Sequence, residues 1–394
     1  MSVSSPRSPV APLVPIMAVV LIAFLIIGLA LPVLPLHVNQ GLGLGTFMVG
    51  LITGSQFAAA LISRLWSGHY SDSRGAKHAV AVGLLMAAGA GLLYLVSLAF
   101  VGTPAASATI LLLGRALLGA AESFIITGAL SWGLALVDIR SAGRVMAWVG
   151  TSMYAAFALG APLGSFLYAS YGFPAIALAT TLMPLATLLL VAPLRPITPQ
   201  HRGNPAFTKV IGAVWVPGLG LAFSSIGFGA ITAFISLLFV NRGWSPAWLA
   251  FTAFASSFMV VRIFFGHLPD RFGGARVALV SVLIEAAGQA LIWLAPGAPV
   301  ALGGAVLTGV GYSLVYPGLG IEAVHGTPPD SRGLAMGAYT AFLDLALGIT
   351  SPLLGLVASC ADVGTVFLIS AMVVLGAAVI AARLVKSQPI HNHG

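Results

Sequence analysis

Residues 64–77 read RLWSGHYSDSRGAK, and residues 262–276 read RIFFGHLPDRFGGAR. Arg64, Gly68, His69, Asp72 and Gly75 recur as Arg262, Gly266, His267, Asp270 and Gly273 at a constant spacing of 198 residues. Only 7% of this 394-residue chain is charged, so writing one polar phrase twice, half a chain apart, points to duplication. Other matches agree. HVNQG at 37–41 resembles FVNRG at 239–243, and GAAESFIITG at 119–128 parallels GVGYSLVYPG at 309–318. Met146 and Pro162 match Met336 and Pro352 at a spacing of 190, so the second half carries small loop deletions.

The flanks of both copies are apolar. Hydrophobic residues make up 59% of the chain, with a mean hydropathy of +1.05. That much apolar surface must face lipid or other helices. Runs of about 20 residues, the length that crosses a bilayer as helix, fall near 13–36, 47–66, 79–101, 108–134, 145–170 and 174–194. Six more fall near 208–240, 247–266, 276–295, 298–323, 334–358 and 362–386. The alternation of a membrane barrel is missing. The expected fold is an all-α integral membrane protein with 12 transmembrane helices. They would form two six-helix bundles, 1–194 and 208–394, joined by a linker at 195–207. Parallel repeats of one topology imply pseudo-twofold symmetry about the membrane normal.

With the amino terminus inside, thirteen of the seventeen basic residues fall on the cytoplasmic side. Arg64 and Arg262 then lie at inner helix ends, Arg242 in an outer loop and Arg115 within a span. This asymmetry is the positive-inside rule and places both termini in the cytoplasm. It also accounts for the net charge of +8 without nucleic acid as a partner. The first run is too long for a signal-peptide core and has no small-residue cleavage site, so it reads as a retained helix. The single cysteine, Cys360, excludes a disulfide framework and a four-thiolate metal site. The terminal HNH is too short for a metal site, and no metal is expected.

Twelve spans in six plus six, with GHYSDSRGAK between spans 2 and 3, resemble the major facilitator superfamily of secondary transporters. The family's pattern there, Gly-x-x-x-Asp-x-x-Gly-x-Lys/Arg, is met by Gly68, Asp72, Gly75 and Lys77, with Arg74 inside it. The second copy keeps Gly266, Asp270 and Gly273, with Arg276 displaced by one position. GRALLGAAE carries a counterpart of the family's intramembrane arginine at Arg115. GAPLG is similar to the Gly-Pro motif of the antiporter branch, with Ala161 between Gly160 and Pro162. GYSLVYPGLGIEAV resembles a bacterial arabinose-efflux-like, drug-antiporter-like branch. The resemblance implies alternating access between two halves. It implies a cytoplasmic gate in which Asp72 meets the start of span 11 and Asp270 the start of span 5. It also implies that spans 1, 4, 7 and 10 line a cavity and that the protein sits in a bacterial inner membrane as a multi-pass monomer.

The glycines at 68 and 75 suit a tight reverse connection needing close backbone approach and positive φ. Within the spans, Arg115, Glu122, Glu285 and Asp344 stand out, with Glu322 near an inner end. A charge at bilayer depth costs several kcal/mol unless paired or hydrated, so each is a functional candidate. Arg115 and Glu122 lie on one helix face, about 10 Å apart along the axis. In the repeat Glu122 corresponds to Tyr312, Arg115 to Ala305 and Asp344 to Tyr154. Charges that do not recur point to coupling or substrate contact rather than packing. Tyr154, Tyr312 and Tyr316 are expected to shape the pocket. Glu285, with Gln289 one turn on, reads equally well as a structural pair, and Glu322 as a cap.

No HExxH, nucleophile elbow or paired-carboxylate motif marks an enzyme, and no GxxxxGK[ST] marks ATP-driven pumping. A gradient must then drive transport without a cofactor. A carboxylate in a low-dielectric cavity can carry a proton at near-neutral pH. The expectation is a proton-coupled antiporter exporting a small organic or amphiphilic compound. The alternatives are a proton-coupled uptake symporter for a small organic acid, with Arg115 gripping its carboxylate, and a non-transporting receptor or scaffold.

Overall fold

Proline and glycine set the helix boundaries of this chain. Its structure, a computed structural model, describes residues 13–136, 142–196, 207–325, 327 and 332–387. Among these residues lie twelve long helices. They are α1 (Val14–Ala30), α2 (Thr46–Arg74), α3 (Ala76–Leu98), α4 (Pro104–Leu136), α5 (Ala142–Tyr171) and α6 (Phe173–Val191). The second six are α7 (Phe207–Asn241), α8 (Trp248–Phe265), α9 (Gly274–Leu294), α10 (Ala298–His325), α11 (Arg332–Cys360) and α12 (Val363–Ser387). All but α5 are long and apolar enough, over their described residues, to cross a membrane, α1 when taken with the turns that follow it to Gly41. The expected all-helical membrane architecture is present.

Breaks occur where the backbone cannot continue a helix. After α1 the chain turns at 31–33 and re-forms as Leu34–Leu36, with proline in the first turn, followed by a π-helical turn at His37–Gly41. Proline lacks the N–H that continued helix requires there. Gly172, at φ 71°, separates α5 from α6.

Packing groups Met1–Ala30 with Ala59–Arg202, and Leu31–Ala58 with Gly203–Gly394. In the first unit α3 packs on α4 and α6, and α1 on α4, α5 and α6. In the second, α9 packs on α10 and α12, and α7 on α10, α11 and α12. Each helix pair of the first set recurs six helices later. The expected linker at 195–207 lies mostly outside the described residues.

The repeat holds at atomic detail. A β-carbon on Gly128 of α4 would lie 2.9 Å from the Ala76 carbonyl oxygen of α3. One on Gly318 of α10 would lie 2.8 Å from the Gly274 carbonyl oxygen of α9. Ala76 and Gly274 are 198 residues apart, Gly128 and Gly318 are 190 apart, and the two crossings are the same contact. Close small-residue approach of this kind is how membrane helices gain van der Waals contact where lipid offers no hydrophobic drive. α7 is the most enclosed helix: residues 224–239 are buried without exception.

Candidate functional site

The repeated polar phrase is helix for most of its length. α2 runs on through Gly68, His69, Tyr70, Ser71, Asp72 and Ser73 to Arg74. The reverse connection expected across 68–75 is therefore confined to Gly75, at φ 93° and ψ 151°. Its repeat, Gly273, has φ 91° and ψ 136°. The shared left-handed backbone explains why glycine stands at both places. Gly68 is a correction: it is helical, and a β-carbon there would meet nothing within 4 Å. Gly266 is likewise right-handed, at φ −59°, and a five-residue helix, Leu268–Phe272, follows it.

Lys77 reaches back rather than across. Its ammonium donates to the Ala192 and Leu194 carbonyl oxygens, each at 2.7 Å, where α6 ends and carbonyls lack helical donors. Asp72, Arg74 and Asp270 are exposed. The starts of α5 and α11, which the two aspartates were expected to meet, adjoin residues 137–141 and 328–331, outside those described.

Of the ionisable groups inside spans, Arg115 is fully buried on α4. Its guanidinium faces the Tyr94 phenol of α3, yet none of its nitrogens completes a hydrogen bond among the described residues. Glu122 is half-buried. Next to it Ser123 meets the Ser67 hydroxyl of α2 at 3.1 Å, and Thr127 meets the same hydroxyl at 3.2 Å. α2 therefore covers one part of α4 and α3 another. Asp344 lies in α11 at 4% exposure. Glu322 accepts a hydrogen bond from the Ala275 amide at 3.0 Å, capping α9 as a structural residue does.

The tyrosines divide into three settings. Tyr312 of α10 stacks on Phe228 of α7, with ring centroids 5.5 Å apart and planes 5° apart. Its hydroxyl lies 3.2 Å from that of Ser225. Tyr316 bonds the Thr340 hydroxyl at 2.9 Å and receives the Tyr339 hydroxyl on its carbonyl at 3.0 Å, tying α10 to α11 one turn from Asp344. Tyr154 is half-buried and meets Phe157 edge-on along α5. Arg262, expected at an inner helix end, lies over the Phe258 ring at 5.6 Å. Phe258 in turn packs on Tyr312.

Sequence reasoning missed Tyr94, which has no motif around it, and undervalued Glu285. Glu285 is fully buried and accepts a hydrogen bond from the Ser224 hydroxyl. Its spacing of four from Gln289 within an apolar run was the available signal. Among the described residues, no group of three or more His, Cys, Asp or Glu could hold a metal ion.

The family profile described as Major Facilitator Superfamily matches residues 16–248 and, a second time, 218–393. The chain belongs to the Major Facilitator Superfamily. Among relatives from this superfamily, "Uncharacterized MFS-type transporter STM4428" of Salmonella typhimurium is 43% identical over 91% of this chain and 92% of its own. "Uncharacterized MFS-type transporter YhhS" of Escherichia coli K12 is 40% identical over 94% of this chain and 91% of its own. Solved structures share the superfamily fold at low identity. A D-xylose-proton symporter aligns with a TM-score of 0.76 at 14% identity, covering 93% of this chain and 97% of that one. The human organic anion transporter MFSD10 (TETRAN) aligns at 0.70 and 17%, covering 96% of this chain and all of that one. As a Major Facilitator Superfamily member, the chain is a multi-pass membrane transporter and not an enzyme.

Proposed function

We propose that this superfamily member is a proton-coupled antiporter that exports a small organic or amphiphilic compound by alternating access. The carrying observation is Asp344, an acid at 4% exposure in a helix whose one other charged residue is Arg332 at its start. An acid at that depth is costly unless it is compensated or exchanges its charge, and exchanging a proton against substrate is the exchange that transport uses. Glu122 is the second proton-carrying candidate. Tyr312, Tyr316 and Tyr154 would supply aromatic and hydroxyl contact to the cargo, and the driving force would be the proton gradient. Asp72 and Asp270 would latch the cytoplasmic ends. The protein would work as a monomer in a bacterial inner membrane with both termini cytoplasmic, in an efflux-like branch of the superfamily.

One observation favours a second reading, uptake symport of a small organic acid. The buried Arg115 guanidinium faces the Tyr94 phenol but completes no hydrogen bond among the described residues, and a carboxylate would satisfy it in bidentate geometry. Proteoliposomes carrying an imposed pH gradient and a substrate panel separate the two. Antiport moves substrate against the proton flow, and Asp344→Asn or Glu122→Gln stops gradient-driven flux while leaving substrate exchange. Symport moves substrate with the protons, and Arg115→Ala abolishes anion binding. Wild-type transport indifferent to pH would defeat both.

A further inference from the structure

The carboxyl of Glu285 is enclosed by three helices of the second unit. Its Oε2 accepts a hydrogen bond from Ser224 of α7, while its Oε1 has no partner among the described residues. Gln289, one turn later on α9, is equally buried. Its Nε2 donates to the Gly227 carbonyl at 3.2 Å and to the Thr308 hydroxyl at 3.4 Å. That carbonyl fixes which way the amide faces, because the amide oxygen would be repelled there. The Gln289 Oε1 is left without a donor among the described residues.

Two buried acceptor oxygens therefore lack donors, four residues apart on one helix face. A single residue, Gly227, shows that their side chains converge. A β-carbon built on it would run into Glu285 Oε1 and lie 3.3 Å from Glu285 Cδ and 3.4 Å from Gln289 Nε2. Glycine makes this a close polar cradle, where any other residue would collide with the carboxyl. Among the described residues, no positive side chain pairs with the carboxyl. α7 carries only Lys209 as a charged residue, and α12 has none before Arg383. α10 brings Thr308, Gly311 and Tyr312, the last directed to Ser225 rather than to Glu285. Buried acceptors are almost always satisfied in folded proteins, and an uncompensated buried carboxylate is expensive.

We propose that this cradle binds a small monovalent cation, a proton or Na⁺, between Glu285 and Gln289. Either would satisfy the orphan Glu285 Oε1. A proton on the carboxyl removes the uncompensated charge. Na⁺ takes oxygen ligands, with the Ser224 and Thr308 hydroxyls and the Gly227 carbonyl nearby. The site lies outside the residues assigned to coupling and does not depend on Glu122 or Asp344 carrying protons.

The test reads binding rather than transport, on the full-length protein in detergent or nanodiscs. Thermal unfolding of wild type is followed from pH 8 to pH 5.5 in potassium salt, and with NaCl replacing KCl at pH 8. A ligand that binds only the folded state raises Tm, by about 2–4 °C per tenfold increase once it exceeds its Kd. A rise on acidification alone assigns a proton, and a rise with Na⁺ over K⁺ assigns sodium. Glu285→Gln should flatten whichever response wild type shows, and Gln289→Met should reduce it. A wild type that responds to neither cation overturns the site, as does an undiminished response in Glu285→Gln. Should Glu285→Gln fail to fold, an undiminished response in Gln289→Met overturns it instead. Loss of pH-driven flux in Asp344→Asn bears on the coupling scheme and leaves these readings untouched.

Discussion

The Thr46 hydroxyl of α2 donates a hydrogen bond to the Gly355 carbonyl of α11 at 2.9 Å. Further along the same seam Gly50 rests on the Ser351 carbonyl, and a β-carbon on Gly54 would lie 3.0 Å from the Gly348 carbonyl oxygen. Pro352 has no N–H for that Gly348 carbonyl, so it faces α2 without its helical donor. These contacts bind the first part of α2 to the unit that contains Gly203–Gly394.

Overpacking this seam should loosen it. Gly50→Leu forces a side chain against α11 backbone at a cost of about 1–3 kcal/mol. In a Cys360→Ser background, a cysteine replacing the buried Thr53 should become more reactive to a membrane-impermeant maleimide once Gly50→Leu is added. Unchanged labelling would mean that the seam is not what closes this region.

The left-handed glycines make a sharp contrast with Gly68. Gly75→Ala and Gly273→Ala place a β-carbon at φ near +90°, which costs about 1–3 kcal/mol. Gly68→Ala, in helix with open space around it, should be neutral or stabilising by about 0.5–1 kcal/mol. Thermal unfolding of the three variants checks the order, and a Gly68→Ala that behaves like Gly75→Ala would contradict the helical assignment.

Lys77 should matter through α6. Removing it strips two carbonyls of their donor and a positive charge from a helix carboxyl end, about 0.3–2 kcal/mol. Lys77→Met should lower stability with a smaller change in transport, whereas Lys77→Arg should retain most of both. Asp72→Asn should do the reverse, folding normally while slowing turnover, if the exposed aspartate serves the gate. Full turnover in Asp72→Asn at saturating substrate would remove it from the gate.

At the junction of α10 and α11, Tyr316→Phe deletes one hydroxyl partner of Thr340, a loss of about 0.5–1.5 kcal/mol. Transport should fall only if that junction positions Asp344. Asp344→Asn should abolish pH-driven flux while preserving counterflow. Measuring net flux and counterflow on both variants distinguishes positioning from proton carriage, since a mere stability loss lowers the two together.

The amino-acid sequence by itself determined the helical class, the number of long helices and the duplication. Each is written along the chain, as apolar runs of bilayer length and as matching residues at spacings of 198 and 190. The repeat also aligned Gly128 with Gly318, and the structure then places both at equivalent helix crossings. It also located the left-handed turn at Gly75 and Gly273, though not its extent, since nothing local stops α2 before Arg74. Only the tertiary structure decided which neighbour each polar side chain meets. Helical phase puts Arg115 and Glu122 on one stripe of α4, but only packing brings Tyr94 of α3 to Arg115 and Ser67 of α2 to Ser123. Lys77 likewise finds carbonyls more than a hundred residues away, and Glu285 finds Ser224 and the cradle at Gly227. Residues 31–58 group with the second half for the same reason. Periodicity fixes which face of a helix is apolar or polar, and packing between helices distant in sequence fixes what that face touches.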